Sequence, residues 1–371
     1  MNPTVVNKTE NDDTLYFTLN NANVSIANAI RRTILSEIPV VVFRTLPETE
    51  NKCTIIKNKS RFTNEMLKQR LQCVPVIMDT SVPYGDYSVE INVKNNTDQI
   101  QFVTTEHFIV KNKTTGEQIS KTENNKVFPK NPISGSHILF SRLMPGSDKT
   151  NGDEIHIVSD LDIGIAKESG SYSVVSLCSY SNTVDPAASD SAWQEKKTRL
   201  LEEQEYSNDE LDALKKNWDL LDGQRYFLQN SFDFKIQTVG YYSNESLIIR
   251  ACDVVQNKIE TFNKQLQTKT VKIEKSNTTI DNCYDITLEG EDYTLGKVLE
   301  YVLYSQYYEG DSILSYCGFK KFHPHDNDSI IRIAFKNNET MPFIFDNLIS
   351  VCNIASKQFD IIKAQFGYEA E

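Results

Sequence analysis

The sequence predicts an α+β chain built from two strand–helix units that pair within the chain, the first interrupted by a β-rich insert. Three observations carry that prediction. A strand runs into an amphipathic helix at Leu15–Leu19 and Asn23–Pro39, and the same order returns at Asp285–Leu288 and Glu291–Tyr304. Each pair is followed further on by a strand, a turn and a long helix: Phe232–Val239 with Glu245–Gln267, and Ser329–Phe335 with Pro342–Phe366. In the first unit only, the two pairs are separated by a long stretch with the alternation of β-strands. The division is 1–44 plus 225–268 for the first unit, 45–224 for the insert and 269–371 for the second unit.

The opening helix, NVSIANAIRRTILSEIP, takes its cap from Asn23 or Ser25, whose side-chain oxygens accept from first-turn N–H groups. Ile26, Ile30, Ile34 and Ile38 recur at i+4 with Ala27 and Leu35 beside them, an aliphatic stripe flanked by Arg31 and Arg32. Pro39 cannot continue the helix. By spacing alone this is an ordinary core helix. An extended run Val40–Thr45 and a helix Asn64–Gln72 follow.

Strands are then expected at Tyr87–Val93, Ile100–Val103, His107–Val110, Ile138–Leu143, Glu154–Val158 and Ser171–Leu177, with turns at Pro83–Gly85, Thr115–Gly116 and Pro145–Gly146. Lys111–Ser136 reads as a long polar loop. The segment 192–222 alternates acidic and basic residues at helix-neighbour spacing, which predicts one or two solvated helices anchored by Trp193 and Trp218. A short strand is expected at Thr270–Glu274. A loop containing Gly318, Pro324 and His325 joins the second unit's first helix to its second strand.

The repeat organises the chain. Without gaps, FTLNNANVSIANAIRRTIL lies over ITLEGEDYTLGKVLEYVLY. Thr18–Leu19 falls on Thr287–Leu288, Ser25 on Thr294, Ile26 on Leu295, Ala27 on Gly296, Ile30 on Leu299 and Ile34 on Leu303. A small residue in each first turn admits a close backbone approach. One such unit leaves an apolar helix face uncovered; two in one chain predict a pseudo-twofold pair. The seam is then Ile26, Ala27, Ile30, Ile34 and Leu35 against Leu295, Gly296, Leu299 and Leu303.

The chain has 371 residues, 39% hydrophobic and 24% charged, as in ordinary globular proteins. Its net charge of −12 argues against sequence-independent binding of nucleic acid over the whole surface, which requires neutralising phosphates with Lys and Arg. Seven scattered cysteines without a C-x-x-C read as buried thiols in a reducing compartment, with no structural zinc site. No apolar leader or membrane span is apparent, so an intracellular, soluble protein is expected.

Residues 15–39 resemble the signature helix of the α-type assembly subunits of cellular RNA polymerases, F-x-L-x-N followed by S-x-A-N-A-L-R-R-x-L-L-x-E-I-P. The matching residues are Phe17, Leu19, Asn20, Ser25, Ala27 to Arg32, Ile34, Leu35 and Glu37 to Pro39. Asn64–Val76 resembles the family's next segment through Glu65, Arg70, Leu71, Val74 and Pro75. Residues 285–335 resemble the small partner, the eleventh subunit of polymerase II and its archaeal counterpart, through Glu291 to Leu299, Cys317–Gly318–Phe319 and His323–Pro324. The resemblance touches both ends of the chain; the middle, about 80–225, matches only in kind. The zinc-binding cysteines of some relatives are absent. The family's G-x-x-H-A-K-like loop is degenerate at Gly164–Tyr172.

The resemblance implies a natural fusion of two subunits that elsewhere form a heterodimer, as in large cytoplasmic DNA viruses. It implies a non-catalytic assembly scaffold of a DNA-directed RNA polymerase, without cofactor or metal. Its partners would be the largest, second-largest and small subunits, with DNA reached only through the complex and no membrane contact. Its place would be the viral factory and virion, or the nucleus if cellular. Arg31, Arg32, Glu65 and Arg70 would dock the large subunits. Catalytic readings are weaker. Asp160 and Asp162 form D-x-D, which can hold Mg²⁺, but the third carboxylate is missing. His323, His325, Asp326 and Asp328 read as a polar turn rather than a metal site. No Walker loop, nucleophile elbow or G-x-G-x-x-G occurs. The competing class is a stand-alone nucleic-acid-binding regulator or a self-associating structural protein; the acidic balance and lack of basic stripes count against the former.

Overall fold

The computed structural model describes residues 2–146, 151–204 and 206–367. Residue 205, inside the predicted charged segment, and residues 368–371, at the end of the predicted second unit, lie outside them. In chain order the first elements are β1 (Thr4–Asn11), β2 (Thr14–Asn20), α1 (Val24–Ser36), β3 (Val40–Phe43), β4 (Cys53–Asn58), α2 (Asn64–Gln72) and β5 (Tyr87–Lys94). Then come β6 (Gln101–Thr104), β7 (Phe108–Asn112), α3 (Lys121–Val127), β8 (Leu139–Leu143), β9 (Glu154–Gly164) and β10 (Val175–Val184). The charged segment forms α4 (Pro186–Glu203) and α5 (Asn208–Leu220). The chain ends with β11 (Phe227–Thr238), α6 (Asn244–Gln267), β12 (Ile273–Lys275), β13 (Cys283–Leu288), α7 (Tyr293–Leu303), β14 (Leu314–Lys320), β15 (Ser329–Phe335) and α8 (Met341–Ala364).

Two compact units result. One comprises the described chain up to Ile34, Val175–Thr238, and from Ser243 onward; the other comprises the described part of Leu35–Val174 with Val239–Tyr242. The insert is therefore shorter than the 45–224 expected, and it starts earlier. β3 pairs with β9 of the insert's sheet, which draws the chain from Leu35 into that unit. β10 instead joins β11, so the insert ends before the charged helices, which belong to the first unit.

The first unit holds two four-stranded antiparallel sheets with the same plan. Their orders are β1-β2-β11-β10 and β12-β13-β15-β14. In each, an edge strand pairs with a central strand, a helix follows, a second edge strand and a second central strand come next, and a long helix ends the run. So β1 corresponds to β12, β2 to β13, α1 to α7, β10 to β14, β11 to β15 and α6 to α8. Leu15, Phe17 and Leu19 of β2 are buried on one side, as alternation demands. Phe17 stacks on Phe234 of β11 at 4.9 Å, and its edge meets Phe366, just beyond α8, at 5.0 Å.

α4 and α5 are separate helices because Ser207 and Glu210 form a reciprocal capping box that starts a new one. Trp193 and Trp218 are buried and meet at 5.9 Å, so the hairpin is anchored as expected.

The second unit is built on the sheet β3-β9-β5-β7, with β4 also on β9, and a separate β6-β8 ribbon. Phe43, Phe108, Phe128 and Phe140 form its aromatic core together with Leu67 and Leu71 of α2. The expected long loop Lys111–Ser136 contains α3, which starts at a Ser120–Glu123 capping box.

Candidate functional site

The opening helix and its counterpart meet through a cap. Asn23, not Ser25, caps α1: its Oδ1 accepts from the Ser25 N–H at 2.9 Å, and the Ser25 hydroxyl is buried without a partner. Asp292 caps α7 in the same way, accepting from the Thr294 N–H at 2.9 Å. Its other oxygen takes Nη2 of Arg32 at 2.7 Å, while Nε of Arg32 donates to the Thr294 hydroxyl at 3.0 Å. A residue of the first helix thus reads the first turn of the second. In the ungapped superposition Arg32 corresponds to Tyr301, Asn23 to Asp292 and Ser25 to Thr294. Tyr301 in turn lines a cleft of about 360 Å³ with Asn23 and Ser25.

The long helices also meet through polar side chains. α6 begins after Ser243 and α8 after Thr340. Counted from those caps, Gln256 matches Asn353, and Asn263 matches Asp360. Gln256 donates to Asp360 at 2.7 Å, and Asn263 donates to Asn353 at 3.3 Å. Asp253 and Lys363 add an ion pair, so the two helices run antiparallel. The matched positions Leu247 and Ile344, Ala251 and Leu348, Val255 and Cys352, and Phe262 and Phe359 are all buried. Lys258 of α6 also bridges to Glu291, beside the α7 cap, at 2.9 Å.

The predicted seam residues Ile26, Ala27, Ile30, Ile34, Leu295, Gly296, Leu299 and Leu303 are buried, and Leu35 is half-buried. Gly296 makes a close approach of another kind than expected. A Cβ placed there would lie 2.0 Å from Cε2 of Phe319, so the small residue admits an aromatic ring of β14 rather than a backbone.

The four predicted docking residues divide. Arg32 is engaged at the α7 cap. Arg31 donates to Oδ1 of Asn28 in its own helix, at 3.2 and 2.9 Å, and is partly exposed. In the second unit, Thr63 caps α2. Arg70 donates to the carbonyls of Phe140 at 2.8 Å and Leu139 at 2.9 Å, latching β8 onto α2, and lies over the Phe62 ring. Glu65 is exposed; hydrogen bonds from its own backbone N–H and from Thr63 hold its carboxyl below the usual range.

The profile of the RNA polymerase Rpb3/Rpb11 dimerisation domain matches residues 16–259, well over half of the chain. The chain belongs to this family. Rpb3/Rpb11-type chains are non-catalytic subunits of RNA polymerase, so this one is an assembly subunit of a multisubunit RNA polymerase and works with other polymerase subunits. The matched span contains all of α1 and runs into α6 as far as Ile259.

The side chains weighed for catalysis have structural work in this member of the family. Asp162 receives Arg44 at 2.6 Å and Lys52 at 3.0 Å; burial opposes its ionisation, but those two cations hold its carboxyl below the usual range. Asp160 pairs with Lys113 at 3.0 Å. Asp326 accepts from the His323 N–H, and Asp328 from the Gly290 N–H, both at 2.9 Å, which makes that segment a turn. Among the described residues no three His, Cys, Asp or Glu side chains are grouped to hold a metal ion, and no helix is long and apolar enough to cross a membrane. All seven cysteines are free; Cys73 departs from the expectation of buried thiols by being exposed.

Sequence reasoning missed Asp292 as a partner for Arg32, because the two lie 260 residues apart and no local pattern joins them. It also missed the polar pairs of α6 and α8, whose signal is present: Asn, Gln and Asp recur among the apolar positions of both helices at matching distances from their starts.

Proposed function

We propose that this chain joins, in one polypeptide, the two assembly subunits that pair as separate chains in other polymerases. Its two strand–helix units pair with each other, and the joined pair docks the largest and second-largest subunits. The supporting observation is reciprocity. In an isologous interface, residue i of one half meets j of the other, and j meets i. Gln256 with Asp360 and Asn263 with Asn353 follow that rule, as does the setting of Arg32 and Tyr301 beside the opposite helix starts. Burial of the matched apolar positions supplies the driving force, at about 1.5–3 kcal/mol for each large side chain. Joining the halves makes their pairing intramolecular.

Arg31 and Glu65 carry the docking role. Arg32 and Arg70 are already committed within the chain. Co-expression tests both levels. A chain divided between Thr268 and Ile273 and produced as two pieces should co-purify as a pair, and Leu348→Asp should separate them. Two pieces that never associate would refute the pairing. In the whole chain, Arg31→Glu with Glu65→Arg should leave the fold intact and weaken recovery with the large subunits; undiminished recovery would remove these residues from the docking role.

A further inference from the structure

A second surface, in the unit containing α2 and β8, has a chemistry that the pairing of the repeats does not use. Arg61, Arg70 and Arg142 line one cleft of about 410 Å³, with Phe62, Ile100 and Ser141 among its walls. This is a concentration of positive charge in a chain of net charge −12. Among the described residues none of the three guanidinium groups pairs with a carboxylate. Arg70 donates only to carbonyls, Arg142 lies over the Phe102 ring at 5.5 Å, and Arg61 is exposed. Like charges gathered in this way repel, and an anion relieves them.

Ser141 gives an independent indication. It is 1% exposed and lines the cleft, and its hydroxyl has no hydrogen-bond partner. An unmatched buried hydroxyl costs about 1–3 kcal/mol, which a ligand oxygen would recover. The remaining walls are apolar. Ile100 is 47% exposed, and Ile138 borders an adjoining cleft of about 300 Å³ that shares Arg70 and is also lined by Cys73. The ligand must therefore carry both negative charge and apolar side chains.

A protein segment fits these walls better than nucleic acid. Phe62 and Phe102 would be the stacking platforms for bases, but Arg70 and Arg142 already cover them. We propose that this cleft docks an acidic segment of a partner protein, carboxylates alternating with large apolar residues. Arg61 and Arg142 take the carboxylates, the Ser141 hydroxyl donates to one of them, and the apolar side chains lie on Ile100 and Ile138.

The test uses the full chain and a fluorescent peptide of alternating Glu and Leu, followed by anisotropy. The peptide should bind, and Arg61→Glu with Arg142→Glu should weaken it at least about tenfold. Both arginines are exposed, so the fold tolerates the change; Arg70 is left in place because it holds β8. Bound peptide should also slow maleimide labelling of the exposed Cys73, which lines the adjoining cleft. The proposal is overturned by no binding, by equal binding of a Gln–Leu peptide, or by an unprotected Cys73. It is likewise overturned if a single-stranded oligonucleotide binds more tightly and loses that binding in the variant, which would make the cleft a nucleic-acid site. None of these outcomes bears on whether the two repeats pair.

Discussion

Replacing Arg32 with Ala should loosen the start of α7 in the isolated chain, with no polymerase present. Arg32 makes a charge-assisted bond to Asp292 at 2.7 Å and a second bond to Thr294 at 3.0 Å. Fully buried, the first would contribute about 1.5–3 kcal/mol. The side chains are 33% and 20% exposed, so screening reduces it to about 1 kcal/mol. Thr294 is 1% exposed, and losing its donor adds about 0.5–1 kcal/mol. The expected cost is about 1.5–2 kcal/mol. Asp292→Asn keeps a capping oxygen but removes the charge, so it isolates the ion pair. The double variant should fall short of the sum of the singles by about 0.5–1 kcal/mol. Hydrogen exchange of the Leu295 and Gly296 amides measures the opening of this turn. A coupling below about 0.3 kcal/mol would refute the internal role. So would an isolated chain indifferent to Arg32→Ala, with a loss seen only in the assembled polymerase.

Three further outcomes are expected. Gly296→Ala would normally stabilise a helix by about 1 kcal/mol, but here its methyl meets the Phe319 ring, which Tyr293 flanks at 5.1 Å. Overpacking of about 1–3 kcal/mol should make it net destabilising in thermal melts, and adding Phe319→Leu should reverse the sign. Arg44→Met removes the guanidinium that joins Asp162, Glu168, Glu50 and the Ile163 carbonyl, and should cost the insert about 2–3 kcal/mol in urea. Arg332 grips Asp285 with two bonds, at 2.6 and 2.8 Å, and holds its carboxyl below the usual range against a smaller opposing effect of burial. A depressed carboxyl stabilises the fold above its unfolded value of about 3.9 and loses that contribution as pH falls through its lower folded value. Circular dichroism should therefore show Asp285→Asn with a weaker acid dependence below about pH 4; an unchanged acid limb would count against the pair.

The helices were legible in the sequence because an apolar stripe at helical spacing is a local signal, to which α1 adds a side-chain cap. α1, α2, α6, α7 and α8 fall within a few residues of their expected spans. The strands that escaped are those whose surroundings supply the order. β1 is TVVNKTEN, almost wholly exposed, and is a strand only because β2 pairs with it. β14 was hidden in an expected loop by Gly318 and by its place at a sheet edge. The insert boundary was misplaced for the same reason: nothing local in Ser171–Leu177 tells that this stretch leads into the first sheet, since that is decided by β11, more than forty residues later. The site was half legible. Which residues face inward follows from periodicity, but that Arg32 is consumed by Asp292 depends on two segments brought together by the fold.

On the pairing proposed above, the Arg32 contact has a consequence for specificity. The two ends of the pseudo-twofold arrangement are not alike: one places Arg32 on Asp292, while the other places Tyr301 beside Asn23 and Ser25. Two copies of the first repeat (β1 to α6 without the insert) pairing with each other would set Arg32 against Asn23 at both ends, away from the Asp292 carboxylate. Two copies of the second repeat would set Tyr301 against Asp292, away from the Arg32 guanidinium. Each like pairing forgoes the ion pair between Arg32 and Asp292, and breaking such a pair costs more than forming it returns. The asymmetry therefore acts less by strengthening the right pairing than by penalising both wrong ones. Joining the halves supplies proximity, and between neighbouring chains such a mismatch keeps a first repeat from exchanging its proper partner for a copy of itself. On this view Arg32, which the sequence alone offered as a grip on another subunit, selects the partner that must be in place before any other subunit can dock.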